Sequence, residues 1–257
     1  MDEKKCNIAI FGDTHGHLRL MFQLCRLWQL QQGEHLDIIL QCGDLGFFPD
    51  PGRLDSATKK FEKRDPEELG FAYYFRFPEP VQRDPLMDRI LLGEPSDLNT
   101  VSAPVVFCHG NHEDFPALQA ITGGSPMATV DYYRRLHYLP SGCITTLPRQ
   151  ISLAALGGAP EPEGENRGHA EKYVNPQAAR RLERRQVSIL LTHGGPHPLS
   201  PQHATLGSPA IEQVIHRSQP AYHFYGHHGG PVPPQQIGST LSVWFNDVSL
   251  CPIKTQG

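Results

Sequence analysis

Aspartate, asparagine and histidine side chains recur in glycine-containing turns, each of which follows a short apolar run. The stretch "GDTHGHL" (12–18) places Asp13 and His15 two positions apart, directly after the apolar run "NIAIF". A surface turn uses glycine and aspartate for its backbone angles, but it has no use for an imidazole between glycines. We therefore treat this turn as a candidate site. Four further turns carry the same residue types: Asp44, Asn111 with His112, His193, and His227 with His228.

The residue types in these turns are those of a metal site. Carboxylate and amide oxygens with neutral imidazole nitrogens suit manganese, iron, zinc or magnesium, and do not suit copper thiolate or iron–sulfur chemistry. One ion would be crowded by so many ligands, whereas two adjacent ions need one carboxylate between them. Asp44, which ends "LDIILQCGD", is well placed for that role. Any one of these residues alone could be a cap or a turn residue, but the joint pattern favours a dinuclear metal site.

The elements that must position these turns follow an α/β pattern. Continuous apolar runs such as "VVFCHG" and "VSILLTHG" indicate strands covered on both faces. The segment "LRLMFQLCRLWQLQQG" has apolar residues at helical spacing and ends at Gly33, and a second helix is expected to begin at Pro176. Because ligands gather at the carboxyl ends of strands in open α/β sheets, the five turns are expected to converge.

Two segments with period-two alternation predict additional antiparallel strands, so the sheets are expected to be mixed. These segments are "STLSVWFNDVSL" and part of "HYLPSGCITTLPRQISLAAL", which is typical of a hairpin.

The region 49–100 is rich in proline, charge and aromatic residues, and predicts a partly helical insertion in a single domain spanning 1–257. It is expected to be either a lid or a decoration packed on a sheet edge. Its aromatic cluster "FAYYFRF" is expected to be buried, the alternative being to stack a nucleobase.

Composition excludes several classes of protein. The 257 residues are 39% hydrophobic, enough for a substantial core. No run is long enough for a signal peptide or a membrane span, so a cytoplasmic protein without a membrane partner is expected. The formal charge of −4 disfavours binding to long nucleic acid. The six cysteines lack a C-x-x-C pair and are predicted to be reduced thiols. The sequence does not specify an oligomeric state.

Five short motifs stand in order between residues 12 and 230: "GDTHG", "CGDLG", "GNHED", "THGGP" and "YGHHGG". In order and residue type they resemble the signatures of the calcineurin-like metallophosphoesterases, which are D-x-H, G-D, G-N-H-[DE], H-G and G-H. The resemblance implies an α/β fold of two packed mixed β-sheets flanked by helices, and a hydrolase acting on phosphate esters.

The resemblance also implies a role for each matching residue. It implies that Asp13 and His15 are ligands of a first metal ion and that Asp44 bridges it to a second. Asn111, His193 and His227 then belong to the second ion. His112 would contact the substrate and act as the general acid for the leaving oxygen. We expect two divalent ions, manganese first, with iron, zinc or magnesium as alternatives.

The chain departs from the family pattern at two positions. Many members close with G-H-x-H, whose last histidine completes the first metal site, but position 229 is glycine. Either that site is open or His228 serves instead. The protein-phosphatase branch has an aspartate three residues after the bridging one to orient the general acid, and Phe47 stands there. For substrate phosphate, the candidates are Arg167 and the insertion arginines Arg53, Arg64 and Arg83, whereas His17 and His109 are expected to be structural.

The resulting hypothesis is a phosphoesterase that hydrolyses monoesters of a small molecule, a nucleotide or a phosphopeptide. The alternative is a phosphodiesterase or nuclease acting on cyclic nucleotides or short oligonucleotides, to which the objection from charge does not apply. A further alternative is a non-catalytic scaffold that keeps the fold and binds a partner protein. The nearly complete ligand set favours an enzyme.

Overall fold

Two β-sheets form the framework of the protein. The computed structural model describes residues 5–162, 170–199 and 206–248. The first sheet has the order β1-β2-β3-β5-β4, in which β4 runs antiparallel to β5 and the other neighbours are parallel. Its strands are β1 (Ile8–Phe11), β2 (Ile38–Gln41), β3 (Val105–Phe107), β4 (Ala128–Thr129) and β5 (Leu136–Tyr138).

The second sheet has the order β10-β11-β9-β8-β7-β6. Its two outer pairs, β6 with β7 and β10 with β11, are antiparallel, and the inner pairs are parallel. The prediction of mixed sheets is therefore confirmed, as is the hairpin in the segment that follows β5. The strands are β6 (Ile144–Leu147), β7 (Ile151–Leu156), β8 (Ile189–Thr192), β9 (Tyr222–Tyr225), β10 (Gln235–Ile237) and β11 (Thr240–Trp244).

The main core lies between the two sheets. On β2, Ile38 and Leu40 pack with Leu153 and Leu191 of the second sheet. Ile39, which points the opposite way, packs instead in a cluster with residues of the first helix. Because successive side chains of a strand alternate between faces, a strand buried on both faces is a continuous apolar run. The two-sheet α/β fold expected from the sequence is confirmed.

Helices cover the outer faces of the sheets. The first helix ends at Gly33, whose φ of 67° is the left-handed conformation that glycine adopts at helix ends. The helix predicted after Asn175 begins at Pro176, and the Asn175 side chain caps it. The helices are α1 (Leu18–Gln32), α2 (Thr58–Phe61), α3 (Pro85–Leu92), α4 (Phe115–Thr122), α5 (Pro176–Leu182) and α6 (Pro209–Ser218).

The region 49–100 contains α2, α3 and shorter helical turns, and it packs beside α1. Phe71 and Phe75 of its aromatic cluster are fully buried in the same core as α1. At the start of α1, the His17 ring lies 3.0 Å from an Asp65 carboxylate oxygen of this region. The region is thereby attached next to the turn that carries Asp13 and His15.

Candidate metal centre

Five turns converge at the carboxyl ends of β1, β2 and β3 in one sheet and of β8 and β9 in the other. Three of the residues in these turns, His15, Asp44 and His227, have left-handed backbones with φ of 42°, 51° and 68°. Such a conformation costs on the order of 1–3 kcal/mol in a residue other than glycine and is found mainly where the surrounding structure enforces it. The strain therefore coincides with the residues that the sequence analysis selected.

Asp44 lies at the centre of the cluster and is almost completely buried. Its Oδ1 accepts hydrogen bonds from the backbone N–H groups of Asn111 (2.7 Å) and His112 (2.8 Å). Its Oδ2 faces two imidazoles, with His193 Nε2 at 3.4 Å and His15 Nε2 at 3.8 Å. One oxygen thus orders the turn after β3, while the other points toward candidate ligands from both sheets.

Two groups of potential ligand atoms can be distinguished, each with its atoms within 4.8 Å of one another. One group consists of Asp13, His15 and Asp44, and the other of Asp44, His193 and His227. Asn111 adjoins the second group, since its Oδ1 lies 2.9 Å from His193 Nε2. Asp44 is common to both groups, as expected for a carboxylate that lies between two ions.

The electrostatics of the cluster suit divalent cations. Burial, with the adjacent Asp44 charge, raises the pKa of Asp13 well above its ordinary value. Burial also lowers the pKa of His193, and lowers that of His227 to about 3, so both imidazoles are neutral at physiological pH and offer a lone pair. Two close buried carboxylates repel each other, and a cation between them relieves that repulsion. The oxygen and nitrogen donors are those that divalent manganese, iron or zinc accept.

His112 stands beside this cluster without belonging to either group of ligand atoms. Its ring centroid lies 5.9 Å from that of His15, and its Nδ1 makes a 2.7 Å contact with Asp55 Oδ2. Burial opposes protonation of the ring, but the hydrogen bond to Asp55 and the Asp44 charge outweigh burial and raise the pKa of His112 above its ordinary value. The Asp55 contact thus engages Nδ1 and leaves Nε2 as the other ring nitrogen.

Asp55 is a functional candidate that the sequence analysis missed. Although burial works against its charge, the contact with His112 lowers the pKa of Asp55 to about 2. Its other oxygen accepts from the Thr58 backbone N–H (2.8 Å) at the start of α2. In the sequence, Asp55 has the signature of an ordinary helix cap, and this pattern carries no sign of a second partner. Phe47, at the position where an aspartate was sought, is fully buried in the core.

The other residues predicted to bind metal or substrate are His228 and Arg167, and position 229 lies beside the first of them. His228 lies outside both groups of ligand atoms, and its Nε2 accepts from the Gly195 backbone N–H (3.1 Å). A side-chain carbon at position 229 would have no atom within 4 Å, so that place beside His228 is open. Arg167 lies outside the described residues.

Two of the insertion arginines form ion pairs with aspartates. The two histidines expected to be structural make hydrogen-bond contacts at both ring nitrogens. Arg53 pairs with Asp114 at 2.8 Å, Arg83 pairs with Asp88 at 2.7 Å, and Arg64 is exposed. The partners of His17 are Thr14 O and Asp65, and those of His109 are Gly110 O and Ser141.

Comparisons with known proteins identify the family and the fold. A family model described as calcineurin-like phosphoesterase matches residues 6–231, so the chain belongs to this family. A solved structure described as TT1561 of Thermus thermophilus is similar with a TM-score of 0.51 and 17% identity, over 93% of this chain and 88% of that one. A second solved structure has a TM-score of 0.52 and 15% identity, over 92% and 88% of the two chains. At these identities the likeness concerns the fold. No curated protein matches the chain significantly.

None of the helices in the described ranges has both the length and the apolar character needed to cross a bilayer.

Proposed function

We propose that this calcineurin-like phosphoesterase hydrolyses phosphate monoesters at a dinuclear metal centre, with His112 as general acid. The observation that carries the proposal is that Asp44 belongs to both groups of candidate ligands and, through its Oδ1, also holds the backbone of His112. The ligand clusters and the proton donor are therefore built on the same side chain.

Each side chain has a specific part in this proposal. Asp13, His15 and Asp44 would hold one divalent ion. Asp44 would also contribute to the second, together with Asn111, His193 and His227. When bound, the ions supply Lewis-acid polarisation of the phosphoryl oxygens and an activated water nucleophile. Manganese is the ion we propose, in keeping with the mixed oxygen and imidazole donors.

The remaining steps belong to His112 and Asp55. Asp55 holds Nδ1 of the ring, which fixes the ring orientation and favours the protonated form. Nε2 then donates its proton to the departing oxygen, so that the leaving group departs as a neutral alcohol. After release, the ring is reprotonated from solvent, to which its side chain is 26% exposed.

The test compares p-nitrophenyl phosphate with bis(p-nitrophenyl) phosphate after loading with manganese. We expect the monoester to be the better substrate. His112→Ala should lower its turnover by about 10²- to 10⁴-fold, the usual range for general acid catalysis, while the bound manganese is unchanged. Preference for the diester would replace the proposed reaction with that of a phosphodiesterase. Absence of turnover with any divalent metal would favour the non-catalytic scaffold, and unchanged turnover in His112→Ala would remove His112 from the mechanism.

A further inference from the structure

A buried glutamine connects the two turns that supply the ligand group of Asp13, His15 and Asp44. Gln41 is the last residue of β2 and is completely buried. The three strand residues before it, 38–40, are apolar and also buried. A polar side chain in such a place costs free energy unless its polar atoms are hydrogen-bonded. The partners of the Gln41 amide therefore indicate its role.

Both polar atoms of the Gln41 amide have backbone partners in these turns. Its Nε2 donates to Gly12 O (2.9 Å) and to Gly43 O (2.6 Å). Its Oε1 accepts from the Gly43 N–H (3.1 Å). Gly12 directly precedes Asp13, and Gly43 directly precedes Asp44. One side chain thus joins the backbone in front of one carboxylate to the backbone in front of the other.

Regular strand pairing ends just before the two carboxylates. The parallel register between β1 and β2 has Phe11 and Gln41 as its last pair. At Gly43 the backbone has a φ of 92°, a left-handed conformation that takes the chain out of the strand direction. The two turns are joined again where the His15 N–H donates to Asp44 O (2.8 Å). Between these two points, the Gln41 side chain makes the connection.

Holding the two turns in place favours metal binding. The potential ligand atoms of Asp13, His15 and Asp44 lie within 4.8 Å of one another, although Asp13 and Asp44 come from separate turns. A site whose ligands already have the correct separation loses less conformational freedom when an ion binds. The hydrogen bonds of Gln41 act on the residue next to each carboxylate, so they fix that separation. Because backbone groups occupy its amide, Gln41 is not itself a ligand.

The same amide holds a residue against which a ligand of the second group packs. A side-chain carbon at Gly43 would lie 2.7 Å from His193 Nδ1, so this imidazole packs directly against the glycine. Gln41 binds both the N–H and the carbonyl of Gly43. The His193 ring has further support, because its Nδ1 donates to Cys42 O (3.0 Å). We therefore expect loss of the Gln41 amide to affect the second group less than the first.

We propose that Gln41 is a positioning residue of the metal centre, which sets the separation of the Asp13 and Asp44 turns and thereby the affinity of the first ion. The inference rests on the proposed dinuclear centre and adds to it a residue that binds neither ion nor substrate. Its signal in the sequence is a lone amide at the end of the otherwise apolar strand "IILQ".

The chain contains a matched control for this role. Gln29 of α1 is also completely buried, and its amide also makes three hydrogen bonds to backbone groups. Its Nε2 donates to Leu98 O and Thr100 O (both 3.0 Å), and its Oε1 accepts from the Leu36 N–H (3.1 Å). None of these partners belongs to a turn that carries a candidate ligand. Gln41→Met and Gln29→Met therefore remove equivalent hydrogen bonds, one set beside the centre and the other in the framework.

The experiment measures manganese binding by equilibrium dialysis and stability by thermal melts. Both variants should lower the melting temperature, because each leaves buried backbone groups without partners. Gln41→Met should also weaken the first manganese site by about 10- to 100-fold, the usual range for residues that orient metal ligands, and the second by less than about threefold. Gln29→Met should leave both affinities unchanged. The manganese concentration that half-activates p-nitrophenyl phosphate hydrolysis should rise in Gln41→Met alone.

Two results would overturn the positioning role. One is a Gln41→Met protein that binds both ions as the wild-type protein does, and the other is an equal loss of affinity in Gln29→Met. If Gln41→Met does not fold, the milder pair Gln41→Asn and Gln29→Asn, whose amides are one methylene shorter, repeats the comparison. Failure of Gln41→Asn to fold would assign Gln41 to the stability of the whole fold and would also overturn the proposal.

Failure of the proposed function is distinguishable, because dialysis does not depend on turnover. A wild-type protein that binds two manganese ions but hydrolyses neither nitrophenyl ester would end the phosphoesterase proposal, and the dialysis comparison would still decide the role of Gln41. A wild-type protein that binds no divalent metal would overturn both proposals.

Discussion

The two groups of candidate ligands share Asp44 but differ in how firmly the fold encloses them. In the second group, the His193 side chain is 0% exposed. Its Nδ1 donates to Cys42 O (3.0 Å), while its Nε2 faces Asn111. In the first group, the His15 side chain is 28% exposed, and its Nε2 lies 3.8 Å from Asp44 Oδ2. One imidazole is fixed by the fold, whereas the other stands at the open edge.

The difference follows from which elements supply the ligands. The second group joins the turns after β3, β8 and β9, so both sheets surround it. The first group depends on the turns after β1 and β2, and the place at position 229, where a further ligand was sought, is open. A site whose ligands are already held in place binds metal with less loss of conformational freedom. We therefore expect the second ion to be bound more tightly than the first.

The largest expected effect comes from removing the residue that the two groups share. Asp44→Asn keeps the side-chain size and one acceptor oxygen but loses the charge. We expect a loss of turnover on the order of 10³-fold or more, because both ligand groups lose their common carboxylate. Metal analysis should show fewer than two ions per chain. Two tightly bound ions in a folded Asp44→Asn protein would contradict the shared role of Asp44.

The next test separates the two groups. His193→Ala should weaken binding of the second ion and lower turnover by roughly 10²-fold, whereas His15→Ala should cost roughly tenfold, because an exposed ligand is more readily replaced by water. Equilibrium dialysis with manganese measures both affinities. Because His193 is fully buried, a melting curve verifies that the His193→Ala variant is folded. Equal affinities of the two sites in the wild-type protein would remove the difference between them.

A third test concerns His112, the proposed general acid, and its partner Asp55. Asp55→Asn should reduce turnover by about 10- to 100-fold, since the ring loses the charged partner that orients it. The Asp55 carboxylate helps to raise the pKa of His112, so its neutralisation lowers that pKa. A smaller fraction of His112 is then protonated at a given pH, and the alkaline limb of the kcat/KM profile should move to lower pH.

Asparagine at position 55 keeps an oxygen that can accept from the Thr58 backbone N–H, so the fold should be unaffected. Asp50→Asn, an exposed cap in the same region, is the matched control and should leave the profile unchanged. An unshifted profile in Asp55→Asn would mean that Asp55 has only a structural role.

The smallest expected effect would make the two groups more alike. Gly229→His places an imidazole where a side-chain carbon meets no other atom within 4 Å. If the first site is short of one ligand, its affinity for manganese should rise by about tenfold, with the second site unchanged. Dialysis at low manganese measures this rise. An unchanged first-site affinity would indicate that the open position does not face the ion.

Much of the framework was predictable because its signals are local. α1 is an amphipathic segment that ends at a glycine, and β2 is an apolar run buried on both faces. The convergence of five turns followed from a general rule, since the carboxyl ends of neighbouring parallel strands lie at one edge of a sheet. The family motifs then assigned expected roles to the residues in those turns.

The sequence by itself therefore determined the fold class, the family and the residues that gather at the strand ends. Only the tertiary structure decided which partner each of them has. His112 and Asp55 are 57 positions apart, and their contact exists because the helical region packs against α1 and the turn after β3. The turn after β7 likewise joins two distant segments, because the Gly158 N–H donates to His109 O (3.0 Å) and a side-chain carbon at Gly158 would lie 2.5 Å from the Tyr173 backbone. Local periodicity reports how a segment is buried, but a pair of polar side chains is selected by packing between segments, which no short stretch of sequence encodes.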